Sequence, residues 1–311
     1  MTAITIVVPC YNEEEALPET SKRLLSLLDK LQQQSRITAD SRISFIDDGS
    51  DDHTWELIEK LAGDNPQIHG IKLTRNMGHQ NALLAGLLTV EGDVVISIDA
   101  DLQDDINIIE EMIDAFHEGK DIVYGVRRDR NVDGLFKRYT AQAYYKLLKL
   151  LGINIVFNHA DYRLMSRRAL DALKEYKEVN LFLRGVIPTI GYPSKVLAYD
   201  RSRRFAGKSK YPLHKMLALA IDGITSFSAI PLRLIAGLGV LVFLVSLACS
   251  IWVLWVRFVS GDAVPGWASS VLPMYFLGGI QLLCVGIVGE YVSKIYMEIK
   301  QRPRFIIEKT I

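Results

Sequence analysis

From Thr5 to Tyr124 the chain alternates short apolar runs with segments whose apolar residues recur at helical spacing. The runs are Thr5–Val8, Ile43–Ile46, His69–Leu73, Val94–Ile98 and Asp121–Tyr124, and their length and polar boundaries predict buried strands. Between them, Glu13–Leu31, Thr54–Leu61, Gln80–Leu88 and Ile106–Phe116 predict helices. Strands and helices in this rhythm make crossover units, and therefore a mostly parallel open sheet of the α/β class. The carboxyl ends of such strands share one edge, where ligands bind. Pro9–Glu13, Asp47–Asp51, Asp99–Gln103 and Gly125–Arg127 all fall on that edge. Their coincidence is the main residue-level argument for a site.

The last quarter of the chain has a different pattern. Leu234–Val256 is an unbroken run of apolar or small residues, and Val271–Val288 is a second in which Gln281 is the strongly polar exception. At 1.5 Å per residue the first is long enough to cross a bilayer's hydrocarbon core. Trp252, Trp255 and Trp267 lie near one end of the pair, as an aromatic belt would. Arg233 precedes the first run, and Lys294, Lys300, Arg302 and Arg304 follow the second. The positive-inside rule then places both chain ends and the large N-terminal domain in the cytoplasm. The alternative is a pair of buried helices in a soluble core, although soluble helices rarely lack a polar face for so long. Gly134–Leu151 and Tyr211–Ser228 are basic and amphipathic, suited to a bilayer interface or to packing on the domain. The expected organisation is a cytoplasmic α/β domain at 1–210, an interface helix at 211–231, and two spans (about 234–256 and 271–288) with a basic tail within 232–311. The start of the chain lacks the features of a cleaved signal peptide.

Charge and cysteine content narrow the classes. Lys plus Arg and Asp plus Glu each number 36, so no global charge favours nucleic acid. Acidic residues crowd the first third, whereas Arg and Lys cluster from about 127 to 215. Cys10, Cys249 and Cys284 are too few and too far apart for a disulfide framework or a zinc site, which fits a reducing compartment. No GxGxxG or Walker-type loop follows a strand, so glycine-loop phosphate binding is not signalled.

The chemistry concentrates in Val94–Asp105, where a strand runs into Asp99-Ala100-Asp101 and then Gln103. Side chains two apart in an extended chain share a side, so two carboxyls and a carboxamide converge at a strand tip. Hard oxygen donors of this kind suit Mg²⁺ or Mn²⁺, ions that usually share their shell with substrate phosphates. The alternative is a polar strand-to-helix loop with Asp104 or Asp105 capping the next helix. His79 and His159 flank motifs without ligand spacing and read as surface or supporting residues, and Trp55 and Met77 read as core.

Pro9-Cys10-Tyr11-Asn12-Glu13-Glu14, Asp47-Asp48-Gly49-Ser50-Asp51-Asp52 and Asp99-Ala100-Asp101-Leu102-Gln103 together resemble glycosyltransferase family 2, with its A-type, Rossmann-like fold. Asn76-Met77-Gly78, Asp161–Ser166, Gly289-Glu290-Tyr291 and Arg302-Pro303-Arg304 narrow the likeness to the polyisoprenyl-phosphate glycosyltransferases. These are the bactoprenol glucosyltransferases and their aminoarabinose-transferring and dolichol-phosphate mannose synthase relatives. The resemblance implies that Pro9, Tyr11, Asn12 and Glu13 surround base and ribose, that Asp48 meets the uracil edge, and that Asp99 faces the nucleotide sugar. It also implies Asp101 and Gln103, with Asp99, around the divalent ion. Arg127 and Arg138 match positions that hold the acceptor phosphate, Lys208 is expected to join them there, and Arg204 lies in a loop that closes over the diphosphate. Asp161 occupies the acidic position near the acceptor, as base or as orienter, or else in a structural ion pair with Arg163 or Arg168. Gln142 departs from the family, which often carries Ser there.

The implied activity is metal-dependent, inverting transfer of one sugar, glucose from UDP-glucose, to an undecaprenyl or other polyprenyl phosphate at the inner face of a bacterial cytoplasmic membrane. Asp101, Asp161 and Arg204 are the expected catalytic residues. N-acetylglucosamine, mannose and aminoarabinose are alternative sugars. The resemblance further implies a homo-oligomer, with a tetramer as one form, and a flippase and an external glycosyltransferase acting downstream on envelope glycan or O-antigen. A processive polysaccharide synthase would carry a Gln-x-x-Arg-Trp motif, but Arg184 is followed by Gly185. A non-catalytic nucleotide-sugar-binding scaffold is the other reading.

Overall fold

The computed structural model describes residues 1–128, 159–178, 183–200, 230–255 and 267–311. Its strands are β1 (Ile4–Cys10), β2 (Arg42–Asp47), β3 (Ile68–Leu73), β4 (Val94–Ser97), β5 (Ile122–Arg127), β6 (His159–Ser166), β7 (Ser194–Tyr199) and β8 (Ile307–Thr310). Its helices are α1 (Leu17–Gln33), α2 (Thr54–Asp64), α3 (His79–Thr89), α4 (Ile108–His117), α5 (Arg167–Lys174), α6 (Leu183–Thr189), α7 (Ile230–Trp255) and α8 (Trp267–Lys300). Each strand and helix expected before residue 125 is present, with ends shifted by a few residues.

The eight strands form one sheet in the order β7-β5-β6-β4-β1-β2-β3-β8. Alternation along β1 explains its two faces. Ile4, Ile6 and Val8 enter a core with α1, α2 and α4, while Val7 joins α3, α5 and α6 on the other side. Both faces are covered, as in a three-layer α/β domain. Pro9 is tolerated inside β1 because pairing with β4 runs only from Ile4 to Val7.

The sheet is mixed rather than purely parallel. The sequence pattern predicts crossover units and a mostly parallel sheet; within that sheet β6 lies between β4 and β5 and pairs antiparallel with both. This reversal follows residues 129–158 and is not announced by a local apolar run, because β6 carries His159, Asp161, Arg163 and Ser166 among its eight residues. It matters for the site. Ser97 pairs with Arg163, so the start of β6, which holds Asp161, lies at the edge where β4 ends. The tips of β1, β2, β3, β5 and β7 share that edge.

The chain end returns to the sheet as β8, antiparallel to β3. Ile311 exchanges backbone hydrogen bonds with Gly70 at 2.9 and 3.0 Å. A Cβ at Gly70 would lie 2.6 Å from Ile58 Cγ2 and 3.0 Å from Ile311 Cγ1, so this edge is closely packed. The return strand closes an edge that would otherwise invite pairing with another chain.

Helices α7 and α8 occupy the two apolar runs and contact one another. Their large apolar side chains face outward, including Leu244, Ile251, Leu282 and Val285, which argues against a buried pair in a soluble core. Among the described residues one segment, Ile280–Lys300, is long and apolar enough to cross a membrane, and none of it is buried. It begins later than the second span expected at 271–288. The amphipathic segments at 134–151 and 211–228 lie outside the described residues.

Gly49 shows how closely the tips of β2 and β3 approach. It has φ 65°, and a Cβ there would lie 2.5 Å from the backbone carbon of Arg75. Gly49→Ala adds left-handed strain and a backbone clash, so it is expected to destabilise the protein by about 2 kcal/mol or more. Thermal unfolding of the purified full chain measures this, and an unchanged midpoint would contradict the close approach.

Candidate active site

Two loops at the edge are stitched together by side chain–backbone hydrogen bonds. Asn12 N donates to Ser50 Oγ at 3.0 Å, Asp51 N donates to Asn12 Oδ1 at 2.9 Å, and Glu13 N donates to Thr54 Oγ1 at 2.9 Å. Asn12 turns at φ 54°, a conformation Asn tolerates better than most residues. Tyr11 is exposed, and its hydroxyl lies 3.3 Å from Asp51 Oδ2. Pro9 is buried within β1, behind this loop rather than on its surface. The four residues expected around base and ribose are thus adjacent, with Tyr11 the most accessible.

Asp48 is buried, and its two oxygens accept from Met77 N at 2.7 Å and Gly78 N at 3.0 Å. Burial raises its pKa, and those backbone donors oppose the rise. Its visible work is to brace the loop that follows β3.

Past β4 the chain twists at Leu102, φ 55°, and Asp101 Oδ1 accepts from Gln103 N at 3.2 Å. Asp101 and Gln103 are nearly buried, and Asp99 is 31% exposed. Burial lifts the Asp99 carboxyl to a pKa of about 6; His79 opposes this, while Asp104, Asp161 and Asp101 add to it. A carboxyl held up in this way gains from a nearby positive charge.

Asp161 is 4% exposed and sits among cations. Arg184 Nη2 approaches one oxygen at 2.9 Å, Arg163 Nη2 donates to the other, and His79 Nε2 lies 3.4 Å away. Burial alone would raise its pKa, but Arg184, His79 and Arg163 hold it well below the usual range. Arg168, the alternative partner considered from sequence, pairs with Asp121 instead. His79 Nε2 also lies 3.7 Å from Asp99 Oδ1. Burial works against the imidazolium, yet Asp161 and Asp99 push its pKa up to about 9.

Arg127 ends β5 with Nη2 3.3 Å from Asp104 Oδ1 and Nε 3.3 Å from the Tyr199 hydroxyl, which itself donates to Asp104. It is at the shared edge, tied to an acidic partner. Arg138, Arg204 and Lys208 lie outside the described residues, as does Gln142.

Asp99, Asp101 and Gln103 offer oxygen donors only, the chemistry that Mg²⁺ or Mn²⁺ prefers. Asp104 Oδ2, close by, is buried and accepts no hydrogen bond among the described residues. No three His, Cys, Asp or Glu side chains among those residues are grouped to hold an ion by themselves. The donor types fit Mg²⁺ or Mn²⁺.

His79, Arg184 and Asp104 were not singled out from sequence. Of the two roles the sequence left open for His79, surface or supporting, the structure places it beside Asp99 and Asp161 as a supporting residue. The signal available was its place, one residue after Asn76-Met77-Gly78 at the tip of β3. Arg184 reaches the site from α6 and has no local signature.

The model for glycosyl transferase family 2 matches residues 5–174, more than half of the chain. The uncharacterised glycosyltransferase YkoT of Bacillus subtilis is 50% identical over 307 residues, covering 98% of this chain and 91% of that protein. The bactoprenol glucosyl transferase of Shigella phage SfII is 41% identical over 308 residues, covering 99% and 98%. Among solved structures, mannosyl-3-phosphoglycerate synthase from Rubrobacter xylanophilus shares the fold, with a TM-score of 0.50 and 16% identity over 75% of this chain and 74% of that one. An edge built of these motifs, within these matches, has one assignment: the chain belongs to glycosyltransferase family 2.

Proposed function

We propose that the protein transfers a single sugar, glucose from UDP-glucose, with inversion, to the phosphate of a polyprenyl phosphate at the cytoplasmic membrane face. The observation that supports this reading is the electrostatic coupling of Asp99, just after β4, to Asp101, Asp104 and Asp161, the last at the start of β6. The near full-length likeness to bactoprenol glucosyl transferases supports the lipid acceptor and the sugar.

The loops at 9–14 and 47–54 would hold the nucleotide, with Tyr11 against the base and Asp48 fixing the floor. Asp99, Asp101 and Gln103 would hold a divalent cation, whose charge stabilises the leaving diphosphate. A lipid phosphate is already largely ionised near neutral pH, so attack on the anomeric carbon needs alignment more than a strong base. Asp161 suits an orienting role. Its oxygens are engaged by Arg163, Arg184 and His79, which disfavours taking up a proton. Arg127, Arg138, Arg204 and Lys208 would meet the two phosphate groups, for which bidentate arginine is well suited.

Parity supports a paired-span reading. The α/β domain precedes α7, and β8, which follows α8, pairs with β3 of that same domain. Both ends of the helical pair therefore lie on one side, so both helices cross or neither does. At 1.5 Å per residue α8 is about 51 Å long, more than the roughly 30 Å hydrocarbon core, so part of it extends out to reach the domain. We assign two crossings, with both chain ends in the cytoplasm.

Membranes containing the full chain, given labelled UDP-glucose and undecaprenyl phosphate, are expected to yield one glucose per lipid. Polymer, or no lipid product with any nucleotide sugar, would defeat this reading. EDTA should stop the reaction and Mg²⁺ or Mn²⁺ restore it. Asp101→Ala is expected to lower turnover about a hundredfold or more. Wild-type turnover in that variant would remove Asp101 from the ion site.

Topology has its own test in intact cells. An impermeant maleimide should label Ser260→Cys from outside and leave Glu308→Cys unlabelled. Labelling of Glu308→Cys, or protection of Ser260→Cys, would contradict two crossings.

A further inference from the structure

We infer that His79 is a positioning residue that ties the donor side of the cleft to its acceptor side by bridging Asp99 and Asp161. This rests on the function proposed above and adds to it a residue that none of the motifs contains.

His79 is placed from behind. The backbone N–H groups of Met77 and Gly78 donate to Asp48 at 2.7 and 3.0 Å, so the loop leading into α3 is pinned to the tip of β2. Gly78, at φ 88°, makes the turn into the helix, and His79 is the helix's first residue. From that fixed point Nε2 reaches to 3.4 Å from Asp161 Oδ2 and 3.7 Å from Asp99 Oδ1.

The two carboxyls need such a link. Asp99 follows β4 and Asp161 opens β6, but their ladder ends at the pair Ser97 and Arg163. Beyond that pair no strand register holds the acids together, and like charges there push apart. Arg163 and Arg184 already engage Asp161. The His79 imidazole is in ion-pair distance of both acids, one expected beneath the donor sugar and the other beside the acceptor phosphate.

A purely structural role predicts a different outcome. The His79 side chain is 39% exposed. Its partners Asp99 and Asp161 are 31% and 4% exposed, but Asp161 keeps Arg163 and Arg184 when His79 is removed, so no buried charge is left without a partner and the loss of stability is expected to be small. If His79 only packed, its removal would be nearly silent. If it sets the spacing of Asp99 and Asp161, its removal disturbs alignment of donor and acceptor, and turnover suffers while nucleotide binding does not.

The test uses the full chain in membranes with UDP-glucose and undecaprenyl phosphate, and UDP dissociation is measured separately on the purified chain. His79→Ala is expected to lower kcat more than tenfold while changing the UDP dissociation constant less than twofold. His79→Lys, which restores a cation, should recover more of kcat than His79→Gln, which restores only a hydrogen-bond donor. Should His79→Ala fail to fold, His79→Gln is held to the same thresholds. The inference is overturned by a kcat within twofold of the unmutated chain, by UDP affinity falling in step with kcat, or by Gln recovering as much as Lys. Product formation by the unmutated chain is scored first. Its absence refutes the proposed function, whereas its presence with indifferent His79 variants refutes only the bridge.

Discussion

Four carboxyls, Asp99, Asp101, Asp104 and Asp161, are gathered at one end of the sheet, and the way their repulsion is offset decides the rest of the site. Two unit charges 4 Å apart interact by about 4 kcal/mol at an effective dielectric of 20. A whole domain is stable by only about 5–15 kcal/mol, so acids in this number cannot be left unbalanced. The protein answers with basic side chains at three of the four. Arg127 lies against Asp104, Arg163 and Arg184 against Asp161, and His79 between Asp161 and Asp99. What is left uncompensated is at Asp99 and the free oxygen of Asp104, on the side where an ion and a diphosphate would bring their own charges.

Fold and cleft are linked through the reversed strand. Had β4 and β5 been neighbours, no acidic residue from after position 158 would reach the carboxyl edge between them. Inserting β6 antiparallel presents its beginning where its neighbours end, so Asp161 and the buried Arg163, on one face two residues apart, arrive beside the tip of β4. The edge is held in depth by cross-loop bonds. Asn12 and Ser50 join β1 to β2, and Asp48 joins β2 to the loop after β3. Each is a side chain satisfying a backbone group that no ladder reaches.

Much of this was legible in sequence where the signal was local. Apolar runs located β1 to β5, because a strand buried on both faces is apolar throughout, and the polar residues just after each run lie on the edge by topology alone. The Asp99–Gln103 spacing announced convergence because alternation in an extended chain is a geometric rule. What escaped depends on distance. β6 pairs with strands that precede it by dozens of residues, and Arg184 reaches Asp161 across 23 positions from another helix. The cationic surroundings of Asp161 were visible only as a choice between Arg163 and Arg168, and chain direction settled it: Arg163 shares a face with Asp161, whereas Arg168 lies on the helix beyond and meets Asp121. His79 was weighed for ligand spacing, while its place at a strand tip was the informative property.

The Asp161 environment also bears on how loss of activity is read. Arg163 is fully buried, and its Nη2 is paired with Asp161. Removing one partner of a buried pair leaves an uncompensated charge, typically at a cost of about 3–5 kcal/mol. An inactive Asp161→Ala protein is therefore the expected result whether Asp161 accepts a proton, orients a phosphate or only neutralises Arg163, and by itself it identifies none of these roles. A base must be able to gain a proton, and a carboxylate held among two guanidinium groups and an imidazole is poorly placed to do so. An orienting group needs the opposite property, a fixed charge at a fixed point, and the same surroundings provide it. If the acceptor is an ionised phosphate, as the proposed function has it, a base is dispensable, and the arrangement around Asp161 suits a site without one.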